Sequence, residues 1–138
     1  MKDRRNNHPA AGFRLAAFLA YLFVPAAPAA AGDPAAGERV FNKCKACHQV
    51  GEGARNRVGP VLNGIVGSPA GVVEGFRYSR ALLESGLTWD QESLAGYLAD
   101  PRRFLPGGRM AFPGLRSETE IADVIAYLAG FGPDGTPK

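Results

Sequence analysis

The chain has 138 residues, 46% hydrophobic and 9% aromatic, with 18 Gly and 11 Pro. These proportions fit one small globular domain and exclude a collagen-like repeat, low-complexity disorder and a multi-domain enzyme. The formal charge of +3 points to an anionic partner only until the charges are located along the chain.

Lys2, Arg4, Arg5 and Arg14 precede or open an apolar run from Leu15 to Val24, and small residues ending Ala29-Ala30-Ala31 follow before Gly32. This is the layout of a cleavable secretory signal peptide over residues 1–31, which places the mature domain, 32–138, in the periplasm. A retained anchor is the alternative, but ten strongly apolar residues followed by Pro25 and Pro28 fall short of the roughly 20 needed to span a bilayer. Residues 1–31 hold four of the 16 Lys+Arg and one of the 13 Asp+Glu. The remainder is formally neutral, so electrostatic steering rests on how charge is distributed and no nucleic-acid partner is expected. The same cut leaves His48 as the only histidine and Met110 as the only methionine.

Asp33-Pro34 reads as a helix start, with Asp as N-cap acceptor and Pro at the first helical position. Val40, Phe41, Cys44 and Cys47 then recur at helical intervals, which puts both cysteines on one face. From Gly51 to Gly75 no periodicity holds and glycines break the chain repeatedly. A short helix is expected from Ser79 to Ser85, stopped by Gly86. Thr88-x-x-Gln91 has capping-box spacing ahead of Leu94, Tyr97 and Leu98, and Asp100-Pro101 ends that element. Ser117-x-x-Glu120 repeats the device before Ile121, Val124, Ile125 and Leu128, an apolar stripe ending at Gly130. Between these two helices, Phe104 to Leu115 reads as a Pro- and Gly-rich loop around Met110. The expected architecture is all-α, three to five helices with long loops.

Loops beyond about 12–15 residues are uncommon in a compact domain, yet 51–75 is a 25-residue stretch without helix or strand pattern. So short a chain lacks the self-complementary apolar surface to fold firmly around such a loop. A large apolar prosthetic group at the centre would supply the missing surface.

Cys44-Lys45-Ala46-Cys47-His48 is the signature of covalent haem attachment. On a helix these residues fall at i, i+3 and i+4, so both sulfurs and the imidazole point to nearly one side. The thiols can add to two porphyrin vinyl groups while an imidazole nitrogen reaches the iron. Three other readings compete. A structural zinc site needs four ligands, and the mature chain has only three Cys and His in total. A thioredoxin-like pair expects a βαβ context. An ordinary disulfide in an exported protein is the plainest alternative.

The chain resembles the class I cytochromes c, of the mitochondrial and bacterial cytochrome c2 type, over roughly Gly37 to Leu128. Gly-Glu-Arg-Val-Phe-Asn-Lys-Cys-Lys-Ala-Cys-His at 37–48 is similar to that family's amino-terminal haem helix, and Val-Gly-Pro-Val-Leu at 58–62 to its proline-bearing loop. Gly75-Phe76-Arg77-Tyr78, Leu87-Thr88-Trp89, Tyr97-Leu98 and Arg109-Met110-Ala111-Phe112 follow in family order. The resemblance implies one haem c per chain, held through Cys44 and Cys47, with His48 and Met110 as axial ligands. It implies that the Pro60 carbonyl orients His48, that Tyr78 and Trp89 hydrogen-bond a haem propionate, and that Tyr97 lies near the methionine sulfur. Phe41, Leu62, Leu98, Leu105, Phe112, Val124 and Tyr127 read as packing around the macrocycle or between the first and last helices.

Some positions depart from the family. Ser68 stands where many members carry a propionate-directed arginine, Gly108 where threonine is common and Leu82 where asparagine is common. In the family a loop lysine can replace methionine on the iron at high pH, whereas the loop cations here are Arg102, Arg103 and Arg109 and the only mature lysines are Lys43, Lys45 and Lys138.

The function implied is a soluble, monomeric periplasmic one-electron carrier rather than an enzyme. It would shuttle between a quinol-oxidising complex (quinol-cytochrome c reductase) and a terminal cytochrome c oxidase, reaction centre or peroxidase. Lys43, Lys45, Arg55, Arg57, Arg102, Arg103 and Arg109 are expected around the haem edge, opposite Glu118, Glu120 and Asp123, as a dipole that meets an acidic patch. The alternative is a ligand-binding or sensing haem protein with a labile sixth site. A peroxidase is disfavoured by one haem motif, no spare histidine and no acid–base cluster.

Overall fold

The structure, a computed structural model, describes residues 31–138; the signal-peptide reading falls almost wholly outside them. Five helices follow in order: α1 Pro34–Phe41, α2 Arg80–Leu83, α3 Gln91–Ala99, α4 Pro101–Phe104 and α5 Glu118–Ala129. No strand forms among the described residues, and the only pairings of that kind are isolated bridges at Pro69–Thr88 and Phe131–Pro137.

The helix starts follow from capping chemistry. Asp33 accepts from the Ala35 N–H, and Ser117 accepts from the Glu120 N–H. Two boundaries differ from the sequence reading. Asp90, not Thr88, caps α3, its carboxylate accepting from the Ser93 N–H at 2.8 Å, while Thr88 contributes only its carbonyl, to the Ser93 hydroxyl at 2.7 Å. Asp100-Pro101 closes α3 and also opens α4, because Asp100 is extended and accepts from the Arg103 N–H at 3.1 Å. The loop before Met110 therefore begins after Phe104.

α1 and α5 cross in close contact. Val40 and Phe41 from α1 meet Ile121, Val124, Ile125 and Leu128 from α5, and Leu94 and Leu98 from α3 complete the same core with Trp89 and Leu115. The crossing is tight at Gly37, where a Cβ would lie 1.9 Å from the Asp123 carbonyl oxygen. Asp123 also accepts the Asp33 N–H at 2.7 Å, which pins the start of α1 to α5. Replacing Gly37 by alanine gains about 1 kcal/mol of helix propensity. The overlap with backbone outweighs that gain, and a net loss of about 2–3 kcal/mol is expected. Denaturant titration of Gly37→Ala against the parent chain checks it; an unchanged midpoint would contradict it.

The 51–75 segment is ordered by backbone hydrogen bonds. Gly59 N–H donates to Cys47 O at 2.9 Å, Leu62 N–H to Gln49 O at 3.0 Å, and Gly67 N–H to Trp89 O at 2.7 Å. Trp89 N–H returns to Ser68 O and Ala70 N–H to Leu87 O, both at 2.8 Å. These bonds bring the loop around one side of a central cavity and fix Trp89 in its wall.

Candidate functional site: a haem-binding cavity

α1 stops at Phe41, so the Cys-x-x-Cys-His motif does not continue that helix. Asn42, Lys43 and Cys44 donate instead to carbonyls three residues back, and the motif runs on as tight turns. Two longer bonds, Lys45 N–H to Phe41 O at 3.2 Å and His48 N–H to Cys44 O at 2.9 Å, keep helical spacing at its start and end. The side chains of Cys44, Cys47 and His48 thereby line the same cavity.

That cavity has a volume of about 700 Å³, within the range of small-molecule sites of about 300–1,000 Å³. Pro60, Tyr78, Trp89, Tyr97 and Met110 line it as well, so every residue singled out from the sequence as haem-binding opens on one space. Phe41, Leu62, Leu98, Leu105 and Val124 form much of its apolar wall. Phe112 packs against the core instead, and Tyr127 stacks on Phe41 with ring centroids 5.5 Å apart.

His48 Nδ1 lies 2.8 Å from Pro60 O. A carbonyl only accepts, so Nδ1 carries the proton and Nε2 is left with its lone pair. Burial holds the imidazole below the ordinary histidine value, against the opposing effect of the Pro60 bond. Burial thus favours the neutral ring, the form whose Nε2 can bind a metal.

Neither cysteine is in a disulfide. Burial pushes the Cys44 thiol up, Lys43 opposes this and Cys47 adds to it. The Tyr78 hydroxyl accepts the Val73 N–H at 3.2 Å, and burial raises its pKa, so it remains a neutral donor. Burial does the same to Tyr97, whose ring lies 4.9 Å from that of Trp89. Ser68 faces the cavity, but its hydroxyl is engaged to Ile65 O at 2.9 Å. It therefore does not take the place of an arginine.

Lining residues not singled out as haem-binding from the sequence include Asn56, Arg77, Ser79 and Pro133, although Arg77 lies in a family-like motif and Ser79 at an expected helix start. Asn56 clamps the loop, accepting the Val61 N–H at 3.0 Å and donating to Glu74 O at 2.9 Å. Ser79 is buried as the cap of α2, accepting from Leu82 N–H at 3.2 Å. Long-range contacts, Asn56 to Glu74 and Pro133 against Gly64, bring two of these to the wall. The charge reading also changes in detail. Lys43 is paired with Glu120 at 2.7 Å and Asp123 is buried, whereas Arg57, Arg77 and Arg109 are exposed residues of the cavity wall.

Two thiols two residues apart, a neutral imidazole with one nitrogen committed and a thioether all open on one apolar cavity. This donor set and enclosure fit a porphyrin attached through both sulfurs. The fold and the site together define a covalent haem protein of the electron-transfer type. The family model for cytochrome c matches residues 34–131. Cytochrome c-554 of Methylosinus trichosporium is 51% identical over 124 residues, 90% of this chain and 94% of that protein. Cytochrome c2 of Blastochloris viridis is 48% identical over 120 residues, 87% and 94% of the two chains. Among solved structures, cytochrome cH from Methylobacterium extorquens aligns with a TM-score of 0.66 at 50% identity, covering 70% of this chain and 97% of that one. Cytochrome c2 from Rhodospirillum centenum aligns with a TM-score of 0.68 at 44% identity, covering 74% and 100%. The chain belongs to the cytochrome c family. Within it, this is a class I cytochrome of the bacterial c2-like kind, an electron-transfer protein with haem c bound covalently at Cys44 and Cys47.

Proposed function

We propose that the chain is a soluble periplasmic carrier that takes one electron from a quinol-oxidising complex and delivers it to a terminal oxidase, reaction centre or peroxidase. Residues 1–31 direct export and are removed. Bound haem supplies the Fe(III)/Fe(II) couple; the remaining work falls to the polypeptide. His48 and Met110 serve as axial ligands, Pro60 fixes the imidazole, Tyr78 and Trp89 direct their polar hydrogens to propionates, and Tyr97 packs near the methionine sulfur. The carrying observation is that His48, with Nδ1 committed to Pro60 O at 2.8 Å, and Met110, 62 positions further along, line one cavity with both cysteines. Arg57, Arg77 and Arg109 at its exposed rim favour docking on an acidic patch, with on-rates that fall as salt rises.

Spectra of the exported protein, oxidised and reduced, test this reading. A c-type pyridine haemochrome and a far-red Met-to-iron charge-transfer band in the oxidised state are expected. A haem spectrum without that band, together with ready cyanide binding, would favour a ligand-binding role instead. At alkaline pH no loop lysine is available, and arginine keeps its proton. Any alkaline form is therefore expected to lack a loop-lysine ligand, as read by electron paramagnetic resonance. A dominant His/Lys signal that persists in Lys43→Ala and Lys45→Ala would contradict this.

A further inference from the structure

Beyond α5 the chain does not trail away. Gly132 N–H donates to Thr136 O and Lys138 N–H to Gly130 O, both at 2.8 Å. The Asp134 carboxylate accepts from Thr136 N–H at 3.0 Å and from its hydroxyl at 2.7 Å. The resulting strap, residues 131–138, is seated on a specific joint. Gly135 is buried with φ at +84°, and a Cβ there would lie 2.3 Å from Gly51 O and 2.6 Å from Asn63 Nδ2. Pro133 lies against Gly64, where an added Cβ would be 3.0 Å from the proline Cα, and it reaches the cavity wall.

The joint beneath the strap is Gly51–Asn63. Asn63 Oδ1 accepts the Gly51 N–H at 2.8 Å and Nδ2 donates to Gly51 O at 3.1 Å. This pair is the last of three ties across one loop, after Gly59 to Cys47 at 2.9 Å and Leu62 to Gln49 at 3.0 Å. Pro60 sits between the first two, with its carbonyl on His48 Nδ1. We propose that the carboxy-terminal strap is a positioning element: Gly135 and Pro133, pressed on Gly51, Asn63 and Gly64, hold the Pro60 carbonyl against His48 and so set how strongly the imidazole donates to iron. This rests on the reading of His48 as an axial ligand.

The direction of the effect separates positioning from simple loosening. A hydrogen bond from Nδ1 to a carbonyl raises the ligand's basicity and favours oxidised iron, so slackening it raises the reduction potential. Mere opening of the cavity admits water, which favours the more highly charged oxidised iron and lowers the potential. The test uses the haem-loaded protein in three forms: the parent, Gly135→Ala, and a chain ending at Phe131. Asp134→Ala replaces the shortened chain if that form does not accumulate. Midpoint potential is read by spectroelectrochemistry, and exchange of the His48 Nδ1 proton by NMR of the reduced protein. A higher potential with exchange about tenfold faster, as for an easier local opening, is the expected result. Unchanged exchange, or a lower potential, would overturn the proposal. A parent protein with no ligated-histidine resonance would instead defeat the reading of His48 itself.

Discussion

Replacing Met110 by alanine is expected to lower the reduction potential by about 0.2–0.4 V, a large share of the roughly 0.8 V that axial ligand choice spans. The thioether favours reduced iron, and no other methionine lies in residues 32–138 to replace it. Its position is fixed from both sides. Before it, Leu105 N–H donates to Pro101 O and Gly108 N–H to Leu105 O, both at 3.0 Å; after it, Leu115 N–H donates to Leu98 O at 2.8 Å. Gly114 also abuts α3, where a Cβ would lie 2.0 Å from Ala99 O. A methionine that only fills space gives way to leucine at little cost, under about 1.5 kcal/mol. Met110→Leu therefore separates the roles. As a ligand position, both variants lose the far-red band, gain cyanide binding and drop in potential. If leucine keeps the parental potential and band, Met110 is packing alone.

How far this site could be read from the sequence depends on the range over which each residue acts. Cys44, Cys47 and His48 act within one turn, so their spacing alone declares the chemistry. Capping is local too, but the same rule was legible at Asp33-Pro34 and hidden at Asp100-Pro101, where a residue pair that stops one helix also starts the next. At α3 the Thr88-x-x-Gln91 spacing pointed two residues too early, and the backbone fold places Asp90 at the cap. The end of α1 at Phe41 was not legible either, because the apolar spacing that continues to Cys47 fits successive tight turns as well as helix. Pro60, Tyr78 and Met110 came from family resemblance, since nothing periodic marks them. Asn56 and the strap at 131–138 came from neither. Asn56 is tied across to Glu74, and the strap rests on Gly51, Asn63 and Gly64; contacts between segments so far apart leave no pattern along the chain.

A methyl group at position 59 is expected to be more damaging than loss of the proline ring beside it. Gly59 is buried, and a Cβ there would lie 2.3 Å from His48 Cε1 and 2.7 Å from both ring nitrogens. The imidazole therefore rests on the glycine backbone. It cannot turn aside without giving up the 2.8 Å bond to Pro60 O, and Gly59 cannot retreat without breaking its 2.9 Å bond to Cys47 O. Gly59→Ala thus forces a choice between the orientation of the ring and the closure of the loop, at a cost of about 3 kcal/mol in stability. A displaced imidazole accompanies it. Pro60→Ala keeps the carbonyl acceptor and loses mainly the stiffness of the turn, about 1 kcal/mol. Denaturation and spectra of the two haem-loaded variants are expected to differ in kind. Pro60→Ala melts earlier with a parental spectrum, while Gly59→Ala shows a weakened or mixed ligand field even when folded. Parental spectra and potential in Gly59→Ala would show that the ring does not depend on this contact.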